Sequence, residues 1–171
     1  HGPQGKPSLP SGRLHFSVAH SGTMALLGFS AAGPIGVDLE VVRAPRMSAW
    51  RREQLERFAE ELGGCALPEG DPDRRFIQAW VRLEAYGKAT GEGIGALLER
   101  HRHPQDAHRL CGSASKKEFC VTDLNAGDDA LAAAVASQNG PVLPALQHLP
   151  CDMGRMAELL RPPRHANTTA L

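Results

Sequence analysis

Residues 35–41 read IGVDLEV, with Ile35, Val37, Leu39 and Val41 alternating against Gly36, Asp38 and Glu40. A period of two predicts a strand whose two carboxylates point to the same face. Two further apolar runs, 14–19 and 24–30, predict strands joined through a turn at HSGT. The stretch SAWRREQLERFAEELG, residues 48–63, opens on a capping Ser and ends on Gly. With apolar positions at helical spacing between, it predicts a helix. A second helix is predicted over 73–90, stopped by Gly91, and on it Trp80, Glu84 and Lys88 recur every fourth residue as one stripe. A short helix over 94–100 and a polar loop over 101–117 follow. Strands over 118–124 and 129–137 then flank a turn at 125–127. Ala132, Ala133 and Ala134 suit a helix as well as a strand by propensity. Gly and Pro make 1–12 loop or extended and 68–72 a break. Beyond 141 the tail is punctuated by Pro, with a short helix at 153–160.

Composition narrows the class. A chain of 171 residues suits one ordinary domain or two small lobes sharing an interface. With 42% hydrophobic and 22% charged residues it is neither disordered nor fibrous. Zero net charge gives no general drive toward nucleic acid or an anionic membrane surface. No apolar run approaches the roughly 20 residues that span a bilayer, and no signal segment is visible at the start. Cys65, Cys111, Cys120 and Cys151 form no CxxC pair, so reduced thiols in a cytoplasmic protein are the simplest account. Arg outnumbers Lys fifteen to four, and abundant Arg, Ala, Gly and Pro fit a bacterial, GC-rich genome.

Two carboxylates from a strand, a third from a helix and a lysine one turn on can hold a hard divalent cation beside a phosphate. Clustered carboxylates repel strongly unless a cation compensates. Mg²⁺ held by Asp38, Glu84 and Glu40 would relieve this, and the whole points to chemistry on a pyrophosphate. The bland account stays open: a strand end and a surface Glu84–Lys88 pair worth about 0.3–0.5 kcal/mol. Arg43, Arg46, Arg51, Arg52 and Arg57 form a basic patch early in the first helix region, either a docking surface for an acidic partner or a solvated face balanced by Glu53, Glu56, Glu60 and Glu61. His101, His103 and His108 fit no tight zinc scheme. Phe76 and Trp80 read as core packing.

GVDLE followed by WVRLEAYGKATG resembles the 4′-phosphopantetheinyl transferase superfamily, whose pattern is (I/V)G(I/V)D(I/V)E and then W-x-x-(K/R)-E-A-x-x-K-A-x-G. Upstream, GPQGKPSL and FSVAHSGTMALLGFS look like the two preceding motifs of that family, in the same order. FCVTDLNAGDDALAAAVAS is more weakly similar to its closing strand pair. The resemblance implies an α/β (α+β) fold with an antiparallel sheet packed against helices, in pseudo-twofold lobes of which the first is truncated. Residues 1–34 would be the remainder of an N-terminal lobe with loops contacting coenzyme A. Residues 35–140 would be the catalytic lobe with the Mg²⁺ site, and 141–171 a tail.

The implied activity is transfer of the phosphopantetheine arm of coenzyme A to a serine of an apo acyl or peptidyl carrier protein, releasing 3′,5′-ADP. Asp38 and Glu84 match the Mg²⁺ ligands and Glu40 the third acidic position. Lys88 and His20 match residues on the coenzyme A phosphates, with Ser21 in the same turn as His20. Lys6 and Pro7 match the segment near the adenosine and its 3′-phosphate. Glu84 would accept the serine proton directly or through a water. The protein would be a monomer if an upstream lobe exists and a homo-oligomer otherwise.

The sequence departs from the pattern in two side chains. Leu83 stands where Lys or Arg is usual, removing a charge next to the site, and Gly87 interrupts the helix at about 0.5–1 kcal/mol relative to Ala. Leu83 and the truncated first lobe keep open a coenzyme A-binding or carrier-docking module without catalysis, and an unrelated Mg²⁺-dependent phosphotransferase is a third reading.

Overall fold

A computed structural model describes residues 14–102 and 119–138. The described elements run β1 (His15–Ser21), β2 (Met24–Ser30), β3 (Ile35–Val41), α1 (Ala49–Gly63), α2 (Pro72–Thr90), α3 (Ile94–Arg102), β4 (Phe119–Leu124) and β5 (Leu131–Gln138). β1 and β2 form an antiparallel hairpin, and β3, β5 and β4 form an antiparallel sheet in that order. This is the expected α+β arrangement, an antiparallel sheet packed against helices. No described helix is long and apolar enough to cross a membrane. The loop with Lys6 and Pro7, most of the 101–117 stretch with His103 and His108, and the helix at 153–160 lie outside the described residues.

Capping sets the helix limits. Ser48 accepts the Arg51 N–H at the start of α1, and Gly64 closes it in the left-handed region. Asp71 caps α2 with Pro72 at its first position, one residue earlier than expected, and Gly91 (φ 77°) turns the chain out by donating to the Gly87 carbonyl at 2.9 Å. A Cβ on Gly87 would stand 3.3 Å from the Gly93 backbone. The glycine inside the helix thus makes room for the chain folding back over the last turn.

The Ala-rich segment is a strand because it is the middle of the sheet and is covered on both faces. Ala132, Ala134 and Ala136 enter the core beneath the helices, while Leu131, Ala133 and Val135 enter a second core on the other side. Alternation into two apolar layers needs a period of two, which overrides helix propensity. In β3 the odd positions Ile35, Val37 and Leu39 join the second core. That leaves Gly36, Asp38 and Glu40 facing α2.

Gly36 decides how near β3 and α2 can come. A Cβ there would lie 2.0 Å from the Ala85 carbonyl oxygen and 2.4 Å from the Ala89 nitrogen. Backbone therefore meets backbone one residue pair before Asp38.

The hairpin is tied to the free edge of β3 by side chains. The Val37 N–H donates to Ser17 Oγ at 3.1 Å and the Val41 N–H to Ser21 Oγ at 3.0 Å. The constant offset of twenty residues means that β1 runs parallel to β3, and its hydroxyls accept edge N–H groups that no strand ladder serves. On the opposite face of the hairpin Val18, Leu27 and Phe29 are each about half exposed, at 46%, 55% and 59%.

Arg82 and Leu83, adjacent on α2, are both buried. Arg82 grips Asp123 of β4 with two bonds of 2.8 and 2.7 Å, and donates to the Cys65 and Ala66 carbonyls. Leu83 lies in the helix-side core and does not line the cleft described below. The expectation that Leu83 costs the site a charge is thereby corrected, since a cation at 83 would sit among apolar side chains.

Gly36→Ala is expected to force β3 off α2. The cost is expected at or above the upper end of the about 1–3 kcal/mol of ordinary overpacking, because the obstacle is backbone. Thermal unfolding monitored by circular dichroism measures this, and a melting temperature matching the parent chain would contradict the contact.

Candidate functional site

Three elements converge on one cleft of about 1000 Å³, which Asp38 and Glu40 of β3, Glu84 and Lys88 of α2, and His20 of β1 all line. The Gly36 contact sets the first two elements, and the hairpin tethered by Ser17 and Ser21 supplies the third. Trp80 lines the same cleft one turn before Glu84, so the stripe read at four-residue spacing faces a single space. It also packs against the core, and Phe76 behind it is buried at 2% exposure.

Asp38 is the centre of the arrangement. Its side chain is 8% exposed, and Lys88 Nζ donates to Oδ1 at 2.7 Å and to the Val37 carbonyl at 3.2 Å. Oδ2 is buried without a hydrogen-bond partner. Burial pushes the Asp38 carboxyl above its ordinary value, the Lys88 bond and charge pull it down, and the Glu40 charge adds to the rise. Burial likewise raises Glu84, joined by the Asp38 charge and offset by Lys88. The Glu40 charge raises both Asp38 and Glu84, and the Asp38 charge also raises Glu84, so the three carboxylates form an acidic group short of positive charge.

Glu40 is positioned differently. Ser21 Oγ donates to its Oε2 at 2.8 Å, and Arg43 pairs with the same oxygen at 3.8 Å. Ser21, expected beside the coenzyme A phosphates, is thus a tether whose hydroxyl both holds Glu40 and accepts from the Val41 N–H. His20 is exposed on the cleft.

With Glu40 drawn to Ser21 and Arg43, and Asp38 drawn to Lys88, the three expected ligands do not form a ready cluster. Among the described residues no group of three or more His, Cys, Asp or Glu side chains could by itself hold a metal ion. Mg²⁺, however, is usually bound through one or two carboxylates plus waters and substrate phosphates. The orphaned Asp38 oxygen beside Glu84 fits that mode.

The basic patch divides on inspection. Arg43 and Arg46 sit in the loop before α1 and line the cleft, while Arg52 is bound to Glu56 and Asp73 and Arg57 to Glu53. The sequence reading grouped all five with the helix and so missed the two at the site. The signal was Pro45 between them, which keeps residues 42–48 out of helix. Among the histidines, His101 lies on α3 and stacks on Phe58 at 3.8 Å.

The chain is 38% identical over 103 residues to the 4′-phosphopantetheinyl transferase HetI of Nostoc. It is 38% identical over 96 residues to the 4′-phosphopantetheinyl transferase AcpT of Salmonella typhi, and 32% over 92 residues to AcpT of Escherichia coli K12. The chain is thus similar to proteins named 4′-phosphopantetheinyl transferases. The matched regions take in 56%, 53% and 53% of this chain and 42%, 48% and 47% of the three relatives, so it spans about half their length. No family model matches the chain.

The electrostatics make a pH prediction. Glu84 binds its proton more tightly folded than unfolded, so its contribution to stability is fully present below the ordinary carboxylate pKa of 4.5 and is lost as pH rises through the raised folded value. Glu84→Gln removes that loss. Its melting temperature relative to the parent chain is expected to climb between pH 4.5 and neutrality. A constant difference across that range in calorimetric scans would show that the carboxyl is not perturbed.

Proposed function

We propose that this chain carries the catalytic centre of a 4′-phosphopantetheinyl transferase, which moves the phosphopantetheine arm of coenzyme A onto a serine of an apo carrier protein and releases 3′,5′-ADP. The observation that carries the reading is the buried Asp38, bonded to Lys88 through one oxygen and unpartnered at the other, beside Glu84 in an open cleft. Similarity to transferases of that name over more than half of the chain supports it.

The leaving group is already good, so the site has to position its partners and neutralise charge on the pyrophosphate. Asp38 and Glu84 would hold Mg²⁺, with Glu40 completing the acidic wall. Bound there, the ion would polarise the phosphoryl oxygens and offset the charge that develops as the pyrophosphate bond breaks. Lys88 and His20 donate to the phosphates. The serine oxygen forms its new bond to phosphorus as the bond to 3′,5′-ADP breaks, and the serine proton passes to Glu84, directly or through a water. Base catalysis of this kind is worth about 10²–10⁴-fold, and a carboxyl raised toward neutrality suits it.

Arg43 and Arg46 at the rim suit an acidic carrier protein. Cys65 and Cys120 are free thiols, in keeping with action in the cytoplasm. In this reading the apolar outer face of the hairpin is covered by an upstream lobe in a monomer, or by a second copy in a homo-oligomer.

Incubation with coenzyme A, Mg²⁺ and an apo carrier protein is expected to add one phosphopantetheine to the carrier, read as its intact mass. Asp38→Ala and Glu84→Ala are each expected to lower the rate by at least about 10²-fold while keeping the far-ultraviolet circular dichroism of the parent. Transfer at the parental rate by either variant would sink the assignment.

A further inference from the structure

Lys88 leaves the last turn of α2 and ends on Asp38, with the Val37 carbonyl as a second acceptor. Its side chain is 32% exposed, that of Asp38 8%. The ammonium thus reaches inward from the cleft wall to a carboxylate that water scarcely touches. It satisfies one Asp38 oxygen and leaves the other without a partner. Glu84 stands one helical turn before Lys88 on the same stripe, and the cleft wall also carries Glu40. This single ammonium is the cation bonded to Asp38, the most buried carboxylate of the group.

We infer that Lys88 is a resident counter-ion, which a divalent cation must displace from Asp38 before the ammonium is released to the cleft for the phosphates of the incoming substrate. The inference rests on the function proposed above and adds the order of events at the same site. A compact ammonium on a four-carbon stem can be exchanged, since it is held as a point charge and not by a planar two-bond fork. An ammonium and a divalent cation repel one another across a single dry carboxylate, so a cation arriving at the partnerless Oδ2 weakens the bond that Lys88 makes to Oδ1. Among the described residues no second lysine lies on the cleft. The ammonium that guards Asp38 is therefore the one available to an anion once the guard is relieved.

Coupling of this kind is reciprocal. A cation that frees Lys88 strengthens phosphate binding, and an anion that draws Lys88 away strengthens cation binding by the same factor. The device prevents a strongly anionic site from filling with metal in the absence of substrate, and it makes the two ligands recruit one another.

Mn²⁺ is the probe, followed by electron paramagnetic resonance on the full chain without coenzyme A, in the parent, Lys88→Met and Lys88→Arg. Lys88→Met removes the competing cation and is expected to bind Mn²⁺ about tenfold tighter than the parent, within the about 5–150-fold range of ordinary site-to-site coupling. Lys88→Arg, whose fork grips a carboxylate more firmly, is expected to bind it more weakly than the parent. Asp38→Asn is expected to abolish the difference between Lys and Met at 88. Equal or weaker Mn²⁺ binding by Lys88→Met, with the parent binding normally, overturns the displacement and leaves the transferase reading standing. No Mn²⁺ binding by Lys88→Met also overturns the displacement, while the transferase reading stands or falls on the carrier-protein assay above. A lysine that merely braced the fold would give variants of lower melting temperature with no gain in metal affinity.

Discussion

The contact between the backbones of β3 and α2 at Gly36 is the constraint from which the site follows. A helix packed on a sheet through ordinary side chains stands about 10 Å away, at which separation the short Asp38 side chain would not meet Lys88. With hydrogen in place of Cβ at position 36, the strand lies against Ala85 and Ala89, and the bond from Lys88 to Asp38 closes at 2.7 Å. The small residues Ala85 and Ala89 on α2 and Ala134 and Ala136 on β5 belong to the same device, because the helix must sit low over two strands at once. The cost is a core built largely from Ala beneath the helix, with less apolar area per residue than Leu or Phe would bury. Phe58, Phe76 and Leu97 restore bulk at its margins.

Two buried charged groups, Arg82 on α2 and Asp38 on the strand facing it, show how the chain separates scaffold from site. Arg82 is fully provided for: both Asp123 oxygens and two backbone carbonyls take its donors, and Gln78 donates to the same Asp123 and to the Ala133 carbonyl. A satisfied polar network of this kind fixes the register of α2 on β4 and the loop after α1. Six residues on, Lys88 meets an aspartate only half provided for. A buried oxygen without a partner costs stability, a cost that the divalent cation of the proposed reading would offset. The raised carboxyl of Glu84 beside it has the same origin, burial together with a like charge.

How far the sequence exposed this depended on the range of the interactions involved. Strand β3 was legible to the residue, because its alternation is local and both its faces are used. Both main helices were legible from Ser48, Gly91 and their periodicity, with α2 starting one residue earlier at the Asp71 cap. The stripe of Trp80, Glu84 and Lys88, and its meeting with Asp38, needed only two periods and one sheet face. The β5 segment stayed open between strand and helix because what decides it, apolar cover on both sides, comes from residues far along the chain. Leu83 was misjudged for a related reason. A position adjacent to Glu84 in sequence lies about 100° around a helix of 3.6 residues per turn, which here means core and not cleft. The tether from Ser21 to Glu40 could not be read at all, since it spans nineteen residues and two elements.

The hairpin binds the cleft to whatever covers its outer surface. Along β1 the inward residues Ser17, Ala19 and Ser21 bond or pack toward β3, while Val18 and His20 alternate to the other face, where both border the cleft and Val18 is half exposed. One strand therefore tethers Glu40 with one set of side chains and forms the cleft wall and the apolar outer patch with the next. A shift of β1 by a single residue would exchange the two sets, taking the hydroxyls from the Val37 and Val41 N–H groups and turning Ser21 away from Glu40. Burial of Val18, Leu27 and Phe29 against a partner would hold that register, and with it the orientation of the acidic wall. Such an apolar contact would steady the site alongside the charges that line the cleft.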